Sequence, residues 1–164
     1  MDIKRCDFVL FTGKGFVFSI LSFIMCLLIP EWRRRTWKPW HVGFISRHDS
    51  NLGWMVCESL AGGVQENALS KYDKSSYRIF RYFKEEPEQI KVARFLSQNL
   101  GNPYSVLTYP FTVVNYFVKW FPRIRFKSVT CWENLYEFAD DMGEEICDDH
   151  EYPFILGLIK ALNL

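Results

Sequence analysis

Residues 38–47 read KPWHVGFISR, and a histidine opens the apolar part of this stretch. The run 41–46 is rich in β-forming residues and predicts a strand. Turn-forming residues follow at 47–53, and 54–59 predicts a second strand, so the two form an antiparallel hairpin. Two interpretations of His41 are open at this point. It is a core or rim histidine satisfied by one hydrogen bond, or a general base for a nucleophile elsewhere in the chain.

The rest of the chain alternates between short strands and helices, which predicts an α+β fold with an antiparallel sheet packed against helices. Glycine and proline residues between these elements mark where they end. Further strands are predicted at 7–12, 64–66 and 77–83, and helices at 16–29, 87–100, 105–121, 132–143 and 153–162.

The 164 residues fit one domain, 1–164, that is long enough to bury a core. Hydrophobic residues make up 49% and aromatic residues 18%, so there is ample apolar surface to offset the chain entropy lost on folding. The formal net charge of +1 lacks the strong basic excess typical of nucleic-acid binders. We therefore expect a globular domain and no nucleic-acid partner.

Five cysteines without a CxxC pair indicate reduced thiols in a cytosol-like compartment. Cys131 stands apart because a predicted helix begins beside it, where unpaired N–H groups and the helix dipole favour a thiolate. Cys26 in an apolar helix and Cys147 in an acidic loop meet surroundings that disfavour one. Cys6 and Cys57 are interpreted as inert buried thiols. Cys131 is therefore the candidate nucleophile.

A nucleophilic thiol needs an imidazole base, and the imidazole needs a group that orients it. Of the three histidines, His150 lies in an acidic loop and His48 in the predicted hairpin turn, which leaves His41 on a regular element. A hairpin that folds near residues 49–50 places position 41 opposite position 58 within about a residue, close enough for side chains to interact. Glu58 is either an edge carboxylate that faces water or the group that orients His41.

Five short motifs occur in order: CDFVLFTGKG at the first strand, WHVGFI, Glu58-Ser59 ending the next strand, GNPYS after a helix, and CWENLY. In this order they resemble the circularly permuted branch of the NlpC-type papain-like superfamily, specifically the YiiX/YaeF-like cysteine hydrolases. The resemblance covers most of the chain, with Cys6 in a position where those chains have glycine. It implies a permuted papain-like fold with the nucleophile at a helix N-terminus. It maps Cys131, His41 and Glu58 onto the nucleophile, the base and the orienting residue.

The resemblance further implies a cysteine hydrolase that cleaves an amide, peptide or ester bond through a thioester, with no cofactor and no metal. Its relatives include peptidase-like proteins and lipid acyltransferases of the lecithin:retinol type, so peptide, amide and lipid-ester substrates all stay open. A non-enzymatic binding module on the same fold is a third hypothesis, against which the complete set of cysteine, histidine and acid argues.

A second functional hypothesis comes from the apolar segment 15–30 and the basic, tryptophan-containing residues that follow it. The segment is short for a bilayer span, which takes about 20 apolar residues, and no signal-peptide cleavage site follows it. A buried helix before a solvated basic loop is preferred, in a cytoplasmic protein. The alternative is an interfacial helix with an anchor for anionic lipid. It would make residues 16–40 a peripheral membrane contact, and the protein a membrane-surface lipid acyltransferase or hydrolase.

Overall fold

A computed structural model of the chain describes residues 2–13, 33–34, 36–104 and 131–144. These residues form a mixed α+β structure with a five-stranded antiparallel sheet and two helices, as the sequence predicts at this level. The strand order is β4-β3-β2-β1-β5. The strands are β1 (Phe8–Thr12), β2 (Pro39–Asp49), β3 (Gly53–Leu60), β4 (Gly63–Ala68) and β5 (Tyr77–Phe80), and the helices are α1 (Gln89–Asn99) and α2 (Cys131–Asp141).

Strand β1 lies inside the sheet and is covered on both faces, which explains why its sequence FVLF is apolar without alternation. Phe8 and Leu10 contribute to one core, and Val9 and Phe11 contribute to a second core on the opposite face. Successive side chains of a strand point to opposite faces, so a strand buried on both sides needs apolar residues at every position.

The two helices pack on the Phe8 and Leu10 face of the sheet, and three phenylalanines join them to it. Phe138 of α2 stacks on Phe44 of β2 with ring centroids 3.7 Å apart and planes 5° apart. Phe95 of α1 meets Phe138 edge to face at 5.2 Å. Each of these rings contributes about 1.5–3 kcal/mol through burial. This packing fixes α2, and with it the helix start at Cys131, against β2.

The register of the β2–β3 hairpin differs from the predicted one. Position 41 was expected opposite position 58 within about a residue, but Gly43 is the residue that pairs with Glu58. The turn lies later than predicted because β2 continues to Asp49, and a register shift interrupts the pairing between Ile45 and Arg47. The difference amounts to two residues. Since side chains alternate with a period of two, His41 and Glu58 still share one face of the sheet and are diagonal neighbours.

The extended β2 also corrects the position of His48. This histidine lies on the strand, not in a turn, and its ring meets Trp54 of β3 edge to face at 4.8 Å. The turn itself follows Asp49, whose Oδ1 accepts hydrogen bonds from the backbone N–H groups of Asn51 and Leu52. Such side-chain bonds to a turn backbone are the usual role of aspartate in this position.

The ends of three other elements differ by a few residues from the prediction. Strand β4 is longer than 64–66, β5 ends at Phe80 and not at residue 83, and α1 begins at Gln89 and not at Pro87. Beyond β5 the chain leaves the sheet, and Arg81 donates to Asp7 at the start of β1, with Nε 3.1 Å from Oδ1.

Two of the sequence motifs have a clear structural position. Cys6 adopts a φ of +67°, the left-handed conformation that glycine accepts without strain, so the side chain at this position costs about 1–2 kcal/mol. Residues 101–102 of GNPYS lie along the edge of β4, where Gly101 N–H donates to Val64 O and Val64 N–H donates to Asn102 O. A side chain at Gly63 would lie 2.6 Å from Asn102 O, so this close approach needs glycine.

The apolar segment 15–30, the helices predicted at 105–121 and 153–162 and the acidic loop 144–151 lie almost wholly outside the described residues. Within the part of the chain that is described, no helix is both long and apolar enough to cross a bilayer.

Candidate active site

His41 lies near the start of β2, directly opposite Phe11 of β1. The two rings are 5.4 Å apart between centroids, and the His41 side chain keeps only 17% of its surface exposed. The preceding proline, Pro39, pairs with Thr12 across a register shift at the end of the ladder. The imidazole is therefore held at the end of the sheet by its neighbours on β1.

Glu58 lies on the interior strand β3 and is fully buried, so it is not the water-facing edge carboxylate that the sequence left open. Its Oε2 lies 2.7 Å from His41 Nε2. A buried carboxylate is costly unless it is hydrogen-bonded or paired with a cation, and the imidazole can supply both.

Gly43 makes this diagonal contact possible. It stands between His41 and Ile45 on the same face and directly opposite Glu58. A methyl group at position 43 would lie 2.6 Å from the Cys57 carbonyl oxygen and 3.1 Å from Glu58 Cβ. Without a side chain at this position, the Glu58 carboxylate has a clear path across β2 to the imidazole.

The second oxygen of Glu58 accepts two further hydrogen bonds that sequence reasoning missed. Asn67 of β4 donates from Nδ2 to Oε1 over 3.0 Å, and the Tyr72 hydroxyl donates to the same oxygen. Tyr72 follows a short 3-10 turn, Leu69–Lys71. The only sequence signal was the alternation of polar residues Gln65 and Asn67 on β4, which places both on one face of the sheet.

Cys131 is the first residue of α2, and its side chain is 1% exposed. It forms a hydrogen bond with the His41 side chain and interacts with it electrostatically. The structure thus brings the three residues singled out from sequence together, with His41 between the thiol and the carboxylate. The first N–H groups of a helix have no intrahelical partner, so the start of α2 is also a favourable place for negative charge.

The pKa of His41 is raised well above its ordinary value of 6.5. Burial by itself lowers this pKa, because it disfavours the charged imidazolium. The negative charge of a Cys131 thiolate, its hydrogen bond, and the hydrogen bond and charge of Glu58 outweigh the burial. The contacts of His41 with Cys131 and Glu58 therefore favour the charged form of the imidazole.

The other thiols that the structure describes have a different environment. Cys6 and Cys57 are free and buried like Cys131. Burial, as the largest cause, raises the pKa of each from 9.0 to about 12, although Arg5 lowers it at Cys6 and a hydrogen bond from Asn134 lowers it at Cys57. No histidine contributes to the pKa of either thiol, so both remain protonated near neutral pH.

Cys26, Cys147 and His150 lie outside the described residues. Within the described ranges, no group of three or more His, Cys, Asp or Glu side chains could hold a metal ion.

Neither the protein-family models nor the curated proteins include a match to this chain.

Proposed function

We propose that this chain is a cysteine hydrolase of permuted papain-like fold that cleaves an amide, peptide or ester bond through a thioester on Cys131. The observation that supports it most is the position of His41, whose ring contacts both the Cys131 side chain and Glu58 Oε2. A nucleophile, a base and an orienting carboxylate in that arrangement are the parts that covalent hydrolysis requires.

The tautomer of His41 follows from its neighbours. An ionised carboxylate only accepts hydrogen bonds. His41 Nε2 therefore carries a proton and donates a hydrogen bond to Glu58 Oε2. Nδ1 is then the nitrogen that exchanges a proton with the Cys131 thiol. In the resting state that we propose, Cys131 and His41 form a thiolate–imidazolium pair, so that the nucleophile is charged before substrate arrives; the contact between the two side chains and the raised pKa of His41 support it.

Two chemical steps follow from this resting state. The Cys131 sulfur attacks the carbonyl carbon, and the backbone N–H of Cys131 at the helix start stabilises the oxyanion. The bond to the leaving amine or alcohol breaks as His41 gives that group its proton, which leaves a thioester. Neutral His41 then takes a proton from water as the water oxygen attacks the thioester, and the acid leaves with the thiolate and the imidazolium restored.

Lipid chemistry at a membrane surface is the second candidate, and one observation favours it. Arg33 and Arg34 are exposed and precede the His41 strand by a few residues, a position suited to anionic headgroups. Trp37 supports it less, because Arg78 covers its ring at 4.7 Å and it packs against Phe80. Co-sedimentation with anionic vesicles, compared between the wild type and Arg33→Ala/Arg34→Ala, separates lipid-surface binding from a solvated loop.

A small activated ester tests the hydrolase directly. On incubation with p-nitrophenyl acetate, we expect an acetyl group on Cys131, detected by peptide mass spectrometry, and its loss in His41→Ala. Cys57 is the internal control, since it is equally buried but keeps its proton. Absence of the adduct, or equal acetylation of Cys57, would contradict the proposal and favour a binding module.

A further inference from the structure

We propose that Asn67 and Tyr72 act as a clamp on Glu58, and that these two positioning residues keep its Oε2 turned toward His41. The inference rests on the proposed function and extends it to two residues outside the Cys131, His41 and Glu58 set. Both clamp donors meet Oε1, and the imidazole meets Oε2. The two oxygens of the carboxylate are therefore assigned to different partners.

Glu58 on β3 has a neighbouring strand on each side, β2 and β4, and each of them supplies one partner of its carboxylate. Gly43 of β2 and Gln65 of β4 stand directly opposite Glu58 on its two neighbouring strands. His41 lies two residues before Gly43, and Asn67 lies two residues after Gln65. Both side chains therefore approach Glu58 diagonally on the same face of the sheet, from opposite directions along the strands. One diagonal neighbour is the imidazole, and the other is a clamp donor.

The orientation of the Asn67 amide is fixed by a cation. Lys71 Nζ donates to Asn67 Oδ1 over 3.0 Å, and an ammonium group has no acceptor to offer. Oδ1 must therefore face Lys71, which leaves the NH₂ group to donate to Glu58 over 3.0 Å. The amide cannot turn its oxygen toward the carboxylate without placing its NH₂ against the ammonium group.

Tyr72 is positioned by a backbone hydrogen bond and by a ring contact. Its N–H donates to Leu69 O over 3.1 Å at the end of the 3-10 turn, and Leu69 is buried. Its ring lies 4.7 Å from that of Phe11, which in turn packs on His41 at 5.4 Å. Phe11 thus touches both the clamp tyrosine and the imidazole, and it sets the spacing between them.

The Tyr72 hydroxyl remains a hydrogen-bond donor to Glu58. Burial, followed by the hydrogen bond and the charge of Glu58, raises the pKa of Tyr72 above its ordinary value of 10.0. The hydroxyl therefore keeps its proton over the whole pH range in which a cysteine hydrolase would work, and it cannot compete with Glu58 as a base.

The test compares two tyrosines that pack on the same ring. Tyr77 also contacts Phe11, at 5.9 Å, but it belongs to β5. The described side chains that bind the Glu58 carboxylate are those of His41, Asn67 and Tyr72, so Tyr77→Phe is the matched control for Tyr72→Phe. The readout is the rate of Cys131 alkylation by iodoacetamide as a function of pH. We expect Tyr72→Phe to slow it about tenfold near neutral pH and to move its pH profile, since a hydrogen bond to a charged group is lost. Tyr77→Phe should match the wild type.

Asn67→Leu gives an independent version of the test should Tyr72→Phe fold poorly, because it removes the other donor at similar volume. If either folded variant alkylates Cys131 with the wild-type rate and pH profile while His41→Ala slows it, the clamp is wrong and the hydrolase proposal stands. If His41→Ala also leaves the rate unchanged, the proposed function fails as well.

Discussion

Replacing Glu58 by glutamine removes one charge and keeps the shape of the side chain. Tyr72 and Asn67 still need an acceptor, which the amide oxygen supplies, so the amide NH₂ group turns toward His41. That group donates, and His41 Nε2 must then accept. The ring proton moves to Nδ1, on the side of Cys131, and the base can no longer take a proton from the thiol.

The size of the effect follows from burial. Glu58 is fully buried and His41 is 17% exposed, so solvent screens their interaction little. A hydrogen bond between charged groups is worth about 1.5–3 kcal/mol. Since about 1.4 kcal/mol corresponds to one pH unit, we expect Glu58→Gln to lower the pKa of His41 by roughly one to two units.

Nitrogen NMR of the imidazole rings measures both the charge and the tautomer, and the chain has only three histidines to assign. In the wild type, His41 should stay charged near pH 8, where an ordinary imidazole with a pKa of about 6.5 is neutral. Glu66→Gln is the matched control, because Glu66 lies on the neighbouring strand and pairs with Arg47 instead. Identical titration of His41 in the wild type and Glu58→Gln would refute the reasoning.

Three further predictions concern the framework of the site. Gly43→Ala should cost about 1–3 kcal/mol in urea unfolding, because its methyl group would lie 2.6 Å from the Cys57 carbonyl oxygen. A Gly43→Ala variant as stable as the wild type would show that β2 and β3 have room for a methyl group at this position. Phe138→Ala should cost about 3–5 kcal/mol by removing the ring that stacks on β2, whereas Leu52→Ala, at a side chain 55% exposed, should change stability by about 0.5 kcal/mol or less. Equal losses would contradict the packing account. Stability should fall above about pH 9, because the unfolded Cys57 thiol then loses a proton that the folded one keeps until about pH 12. The slope, up to about 1.4 kcal/mol per pH unit, should be smaller in Cys57→Ala, and an unchanged slope would rule Cys57 out as its source.

Much of the sheet could be predicted because its signals are local. The β-forming, largely apolar residues of 41–46 and 54–59, the turn chemistry between them and the glycine that closes the second helix each act within a few residues. Gly143 has a φ of +85°, the left-handed conformation expected of a residue that ends a helix. Cys131 at a helix start was predicted for the same local reason, and it is the first residue of α2.

The hairpin register could not be predicted, because it depends on a single extra residue. Ser46 lies where the pairing shifts between Ile45 and Arg47, and an irregularity of this kind has no firm local signature. Its buried hydroxyl donates to the Met55 carbonyl oxygen over 3.3 Å, a contact that exists only once both strands are in place.

Asn67 and Tyr72 were missed for a related reason. In sequence they are polar or amphipathic residues at a strand end and after a turn, and nothing nearby marks them as partners of a buried carboxylate. Their role becomes visible only through the diagonal contact from Glu58 to β4 and the 3-10 turn that brings Tyr72 back over Phe11. Long-range pairing of this kind is fixed by the sheet, not by the segment itself.

The central claim is that Cys131 and His41 form a thiolate–imidazolium pair, and the most direct test is the pH dependence of iodoacetamide labelling, read thiol by thiol. Cys6, Cys57 and Cys131 are all at most 1% exposed, so accessibility alone predicts equally slow labelling. We predict that Cys131 labels much faster than the other two near neutral pH, and that His41→Ala abolishes the difference. Labelling of Cys131 no faster than that of Cys57, whatever residue occupies position 41, would contradict the pair and the hydrolase with it.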